Sequence, residues 1–174
     1  MSSVGVLPDS LQRSLQSLVD RVNACGGGIQ VVLLSTSEGV SLGRVTATTA
    51  TTTNGSGILL WNEEVLANLE STWAPPSKQF PLLQQGDVLT VTAQYEQLTL
   101  VHVYSLTPVV ATLLLETDHC NMGAVKSTAI PLLKEILEPL CQTLLSSLSG
   151  PPPDTAAAAV AAPSATGGES AYYQ

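Results

Sequence analysis

The stretch Val88-Leu89-Thr90-Val91-Thr92-Ala93, followed by Leu98-Thr99-Leu100-Val101-His102-Val103-Tyr104 and then Val109-Val110-Ala111-Thr112-Leu113-Leu114-Leu115, decides the fold. Each segment is short, rich in β-branched residues, and alternates or runs apolar with the period of a strand. The connections Gln94-Tyr95-Glu96-Gln97 and Ser105-Leu106-Thr107-Pro108 are too short for a helical crossover. Three sequential strands joined this tightly must form an antiparallel meander.

Working outward toward the N-terminus, the period changes to that of a helix. Val65, Leu66, Leu69 and Trp73 recur at helical spacing. Asn62 stands as N-cap, Glu63 and Glu64 complement the helix dipole, and Pro75-Pro76 ends the element. Residues 46–57 are Thr, Ala, Gly and Ser with one Asn, a composition that buries too little to offset its ordering entropy and predicts a flexible Thr-rich loop. Before it, Ile29–Leu34 and Val40–Val45 read as a strand pair around the turn Thr36-Ser37-Glu38-Gly39. Leu11, Leu15, Leu18, Val19 and Val22 form the stripe of a first helix, with Asp9 or Ser10 as N-cap and Gly26-Gly27-Gly28 as its stop. Residues 1–8 are expected to be a flexible N-terminus.

Toward the C-terminus, Asn121 caps a long helix carrying Ile130, Leu133, Leu137, Leu140 and Leu144, which Pro131 and Pro139 must kink or divide. Residues 149–174, with Pro151-Pro152-Pro153 and an alanine run, predict a disordered Pro/Ala-rich tail. The expected domain spans 9–148 with the order α-β-β-α-β-β-β-α. The expected class is α+β, a five-stranded antiparallel sheet flanked by helices.

Composition narrows the function. The 174 residues carry 6 Lys+Arg against 14 Asp+Glu, a net charge of −8 that argues against tracking a phosphate backbone or docking directly on an anionic membrane. Only 11% are charged while 44% are hydrophobic, so the polar surface is expected to be supplied by Ser, Thr and Gln, or else part of the surface to be covered by another protein. No secretory signal or membrane-length apolar run is present, and Cys25, Cys120 and Cys141 are odd in number and scattered. An intracellular, reducing setting is expected.

Catalytic groups are sparse. His119 and Cys120 are adjacent, so their side chains diverge and do not converge on a zinc ion. His102 lies in a strand with no nucleophile signature nearby. An enzyme using it would be disfavoured if Ile29–Leu34 and Leu98–Val103 packed side by side with no pocket around His102. Gly26-Gly27-Gly28 precedes a strand rather than a helix and lacks a following Lys, unlike a phosphate loop. No catalytic residue, cofactor or metal is expected. The stripe Leu66, Leu69, Trp73 reads either as core packing or as a partner surface beside an edge strand.

The element order, together with several local stretches, resembles the roadblock/dynein light chain superfamily of longin-like folds. Gln97-Leu98-Thr99-Leu100-Val101-His102-Val103 followed by Leu106-Thr107-Pro108-Val109-Val110-Ala111, Asn121-Met122-Gly123, Glu138-Pro139-Leu140 and Glu70-Ser71-Thr72-Trp73-Ala74 are most similar to the MAP-kinase-scaffold type of Ragulator roadblock subunit. Gly27-Gly28-Ile29-Gln30 and Leu33-Leu34-Ser35-Thr36-Ser37-Glu38-Gly39 are equally similar to the other roadblock type in that complex. The resemblance implies a non-catalytic scaffold that heterodimerises with a second roadblock-domain subunit through the second helix and third strand. Val65, Leu66, Leu69, Trp73, Val88, Thr90 and Val91 would form that interface. It further implies other Ragulator subunits, Rag GTPases and MAP-kinase pathway kinases as partners, and amino-acid signalling to the target-of-rapamycin kinase as the process. The cytoplasmic face of late endosomes or lysosomes is the implied location, reached through a lipidated partner. A dynein light chain or a small-GTPase-regulating roadblock protein is the alternative within the same fold.

Overall fold

The computed structural model describes residues 7–47, 63–73, 76, 79, 82, 84–96 and 98–148. Helix α1 (Asp9–Ala24) leads into strands β1 (Ile29–Thr36) and β2 (Ser41–Thr46), then helix α2 (Glu63–Trp73). Strands β3 (Thr90–Gln94), β4 (Leu98–Leu106) and β5 (Val109–Glu116) follow. A 3-10 turn (Thr117–His119) precedes the closing rod, made of α3 (Met122–Ala124), a π-helical stretch (Val125–Ala129) and α4 (Ile130–Leu148). The sheet order is β2-β1-β5-β4-β3, every pairing antiparallel, so the expected meander forms and β5 enters between β4 and β1.

Period-two alternation divides the sheet into two faces. Val32, Leu34, Val101, Val103, Ala111 and Leu113 point to the face covered by α1 and α4, where they meet Leu15, Leu18, Val22, Leu133 and Leu137. Val31, Leu33, Leu100 and Leu114 point to the other face, on which α2 sits. Ile29 joins the larger core although Val31 faces the opposite way, because the β1–β5 register shifts between the two. A bulge of this kind re-aims a side chain without breaking the strand.

Chain ends and turns follow local chemistry. The N-cap of α1 is Pro8, not Asp9 or Ser10; its φ of −58° already suits a helix entrance, and Asp9 becomes the first helical residue. Leu7 packs against the main core, and a side chain at Gly43 would run into it, so Leu7 is held in place although it falls in the stretch expected to be a flexible terminus. At the far end of α1, Gly26 takes φ +77° and Gly27 donates its N–H to Val22 C=O at 2.9 Å. A Cβ on Gly27 would stand 2.3 Å from Val22 Cγ1 and 2.9 Å from Val22 O, so close packing requires glycine there. Asn23 clamps the helix to β1, donating from Nδ2 to Ile29 C=O at 2.8 Å and accepting from Ile29 N–H at 2.7 Å.

Asn121 caps the closing rod as expected, Oδ1 accepting from Ala124 N–H at 3.1 Å. The π-helical stretch lies just before Pro131. Proline offers no N–H to the carbonyl four residues back and crowds it, and widening the preceding turn accommodates both. Thr46 belongs to β2, and Ala47 is buried with its N–H on Gln30 C=O at 2.8 Å, so the Thr-rich loop does not begin at 46. Residues 48–62, the proposed Asn62 cap and Pro75 lie outside the described residues, as does the tail from 149.

Candidate partner interface

Helix α2 is held to its face of the sheet at three places. In the middle, Leu66 is 4% exposed and packs among Val31, Leu33, Leu100 and Leu114, with Leu69 and Trp73 partly buried against the same cluster. Along the β2 side, Arg44 forms an ion pair with Glu63. Nearby, the Ser41 hydroxyl donates to Glu70 Oε1 at 3.0 Å. The hydrogen bond from Arg44 holds the Glu63 carboxyl below its ordinary range. Burial raises Glu70, and the Ser41 bond only partly opposes this. At the C-terminal end, Tyr104 Oη donates to Trp73 C=O at 2.7 Å, satisfying a carbonyl that the helix leaves without a partner.

Beneath that end lies His102. Its ring stacks on Trp73 with centroids 4.9 Å apart and an interplanar angle of 20°, and on Tyr104 at 6.1 Å and 27°. Nδ1 bonds with Thr112 Oγ1 at 2.9 Å across the β4–β5 pair, while Nε2 has no hydrogen-bond partner among the described residues. Burial pushes its pKa down to about 4, so the ring is neutral at pH 7. His102 is 0% exposed, and the hydroxyl it bonds to is that of Thr112 beside it. The strands Ile29–Leu34 and Leu98–Val103 do not pack side by side, since β5 lies between them. Among the described residues no three His, Cys, Asp or Glu side chains gather as a metal site, and no helix is long and apolar enough to cross a membrane. The His119 side chain lies outside the described residues.

Among the described residues the sheet has two edge strands, β2 and β3, and β3 is the one that follows α2. Leu89 C=O accepts from Tyr104 N–H at 3.0 Å and Tyr95 N–H donates to Leu98 C=O at 2.7 Å, one bond beyond the strand at each end. In this register Val91 opposes His102 and Ala93 opposes Leu100. Antiparallel ladders alternate bonded and non-bonded pairs, so Leu89, Val91, Ala93 and Tyr95 direct their backbone groups inward to β4. Thr90, Thr92 and Gln94 therefore direct theirs outward, off the edge of the sheet. Side-chain alternation follows the same parity: Ala93 joins the α2-side cluster, which puts Leu89 and Tyr95 on that face too. Both are large and half-open to solvent, 58% and 48% exposed, and they flank the free edge.

The structure thus sorts the expected interface residues. Leu66 is turned into the core of the single chain because the helical stripe that looked available is the one that docks α2 on the sheet. Leu69 and Trp73 share that stripe and keep part of their surface outside, and Val65 is 39% exposed. Thr90 and Val91 lie in β3 as expected, but Val88 precedes the strand. Leu89 and Tyr95 were missed. Parity with Val91 and Ala93 was the available signal, and it needed the knowledge that β3 is an edge.

No protein-family model and no curated protein sequence matches the chain. Solved structures do. It is similar to the gliding protein MglB of Thermus thermophilus, with 16% identity over 82% of this chain and 99% of that one, TM-score 0.58. It is also similar to an MglB with tetrameric arrangement, with 18% identity over 79% and 96%, TM-score 0.56. A Roadblock/LC7 domain from Streptomyces avermitilis aligns with 13% identity over 78% and 98%, TM-score 0.53. At these identities the likeness is one of fold, and the chain has the fold of roadblock/LC7 domains.

Proposed function

We propose that this chain is a non-catalytic scaffold subunit that pairs with a second roadblock-domain protein through the free edge of β3 and the neighbouring outer surface of α2. The observation that carries the reading is the outward-directed backbone of Thr90, Thr92 and Gln94, flanked on the α2 face by the exposed side chains of Leu89 and Tyr95. A partner strand added there satisfies the edge groups, and apolar side chains on both sides of the seam bury one another. Val65, Leu69, Trp73, Val88, Thr90 and Val91 lie along or beside this seam; Leu66 supports it from below. The low charged fraction of the sequence fits a surface that is covered in the assembled state.

The finer reading rests on the resemblance of the sequence to Ragulator roadblock subunits. In it the partner is the other roadblock subunit, and the heterodimer helps recruit Rag GTPases for amino-acid signalling to the target-of-rapamycin kinase complex. MAP-kinase pathway kinases are further partners in this reading. Attachment to late endosomes or lysosomes is indirect, through a lipidated subunit. The other reading is a homodimeric roadblock protein of the dynein light chain or small-GTPase-regulating kind. The fold-level likeness to MglB, which spans nearly the whole of that chain, keeps it in view.

Sedimentation of the chain alone, and mixed with a Ragulator roadblock subunit, separates the readings. A monomer that becomes a one-to-one complex supports the Ragulator-type scaffold. A stable homodimer indifferent to the added subunit overturns it in favour of the homodimeric class.

A further inference from the structure

We infer that His102 is an acid-sensitive latch on α2: proton uptake by its buried ring releases the C-terminal end of the helix from the sheet, and with it one side of the pairing surface. Four observations place the latch. His102 is wholly enclosed. Its ring is the surface on which Trp73, the last residue of α2, stacks. Tyr104, two residues along β4, both stacks on the same ring and caps Trp73 C=O. Among the described residues, nothing charged answers a proton there.

The last point follows element by element. From β5 the ring meets the Thr112 hydroxyl, and its neighbour on β3 is Val91. On β4 the titratable neighbour is Tyr104, whose phenol burial pushes up to about 12 and so keeps neutral. On α2 the nearest carboxylate in sequence is Glu70, and it turns to Ser41 on β2. Burial lowers the proton affinity of His102. A cation at this position would be desolvated without a counter-charge, a state that proteins avoid by structural change or by staying neutral. The folded ring, with a pKa of about 4, binds protons more weakly than a solvated one at 6.5. The docked end of α2 is therefore fully favoured above pH 6.5, and the preference is lost as pH falls from there to about 4.

Unlatching concerns this chain alone; its effect on pairing rests on the function proposed above. Trp73 reports the first directly. In the full chain carrying Trp61→Phe, Trp73 emission is expected to shift to the red between pH 6.5 and 4 while far-ultraviolet circular dichroism keeps most of its amplitude. His102→Phe, which keeps the stack, and His102→Gln, which keeps a polar group, should both remove that transition. The same transition in both variants, or none in the parent, overturns the latch. Should neither variant fold, the imidazole resonance of His102 in the parent decides: it must titrate together with Trp73 emission, and independent titration overturns the inference. Pairing assayed at pH 7.4 reports separately on the proposed function, since the latch is closed there.

Discussion

Proline at two adjacent positions of β3 should have opposite consequences. Val91 directs its N–H inward, opposite His102, whose residue is wholly enclosed. Val91→Pro deletes that donor, drives the ring toward β4, and leaves a carbonyl in the sheet interior without a partner. An unsatisfied buried group costs about 1–3 kcal/mol before the steric conflict is added. Against a total stability of about 5–15 kcal/mol, a loss of ~3 kcal/mol lowers the thermal midpoint by roughly 10 °C. Thr92 is exposed and directs its N–H off the sheet, an arrangement in which a strand tolerates proline. Thr92→Pro should cost the single chain about 1 kcal/mol or less. In the complex it removes the central outward donor and places a ring where the partner strand must lie, and a loss of ~2 kcal/mol weakens pairing about 30-fold. Differential scanning calorimetry of each variant, with co-purification against a roadblock partner, measures both effects. If Thr92→Pro pairs undiminished, the β3 edge is not the seam; if Val91→Pro keeps the parental midpoint, the backbone parity assigned to β3 is wrong.

Three further outcomes are expected. Leu66→Ala should destabilise the chain by about 2–4 kcal/mol, read by chemical denaturation, because Leu66 is the only fully buried apolar contact α2 makes among the described residues. Gly27→Ala should lower the thermal midpoint, since the new Cβ meets Val22 Cγ1 at 2.3 Å and Val22 O at 2.9 Å; an unchanged midpoint would mean the α1–β1 turn relaxes freely. Glu70→Gln keeps an acceptor for Ser41 while removing a carboxylate whose pKa burial raises. A group with a raised folded pKa opposes folding once ionised, so the variant should be as stable as the parent or more so at pH 7. That advantage should shrink as pH falls toward 4, in midpoints followed across that range.

The fold was largely legible because its signals are local. β1, β4 and β5 announce themselves as short β-branched runs, the α1 stripe ends at three glycines, and Asn121 stands where its side chain can reach an orphan N–H. The boundaries that shifted did so for reasons of packing or backbone geometry. Pro8 starts α1 a residue ahead of the better hydrogen-bonding caps because proline already holds a suitable φ. Thr46 and Ala47 continue β2 because Gln30 offers a carbonyl. The site was less legible. A stripe of Leu66, Leu69 and Trp73 shows that α2 has an apolar face but not which surface covers it, and here the covering surface is the chain's own sheet. Likewise, alternation in 88–95 gives β3 two faces and two backbone parities, yet which parity faces outward depends on β4 lying to one side and no described strand on the other. His102 read only as a strand residue with no nucleophile signature nearby. Trp73, which stacks on it, stands 29 positions away, a distance no local pattern spans.

Amide hydrogen exchange, residue by residue, in the free chain and in its complex with a second roadblock subunit, tests the proposed seam most directly. Pairing through β3 should slow the amides of Thr92 and Gln94, which face off the sheet when the chain is alone, and leave those of Val91 and Ala93, already bonded to β4, little changed. A complex that forms while Thr92 and Gln94 continue to exchange at their free rates would contradict it.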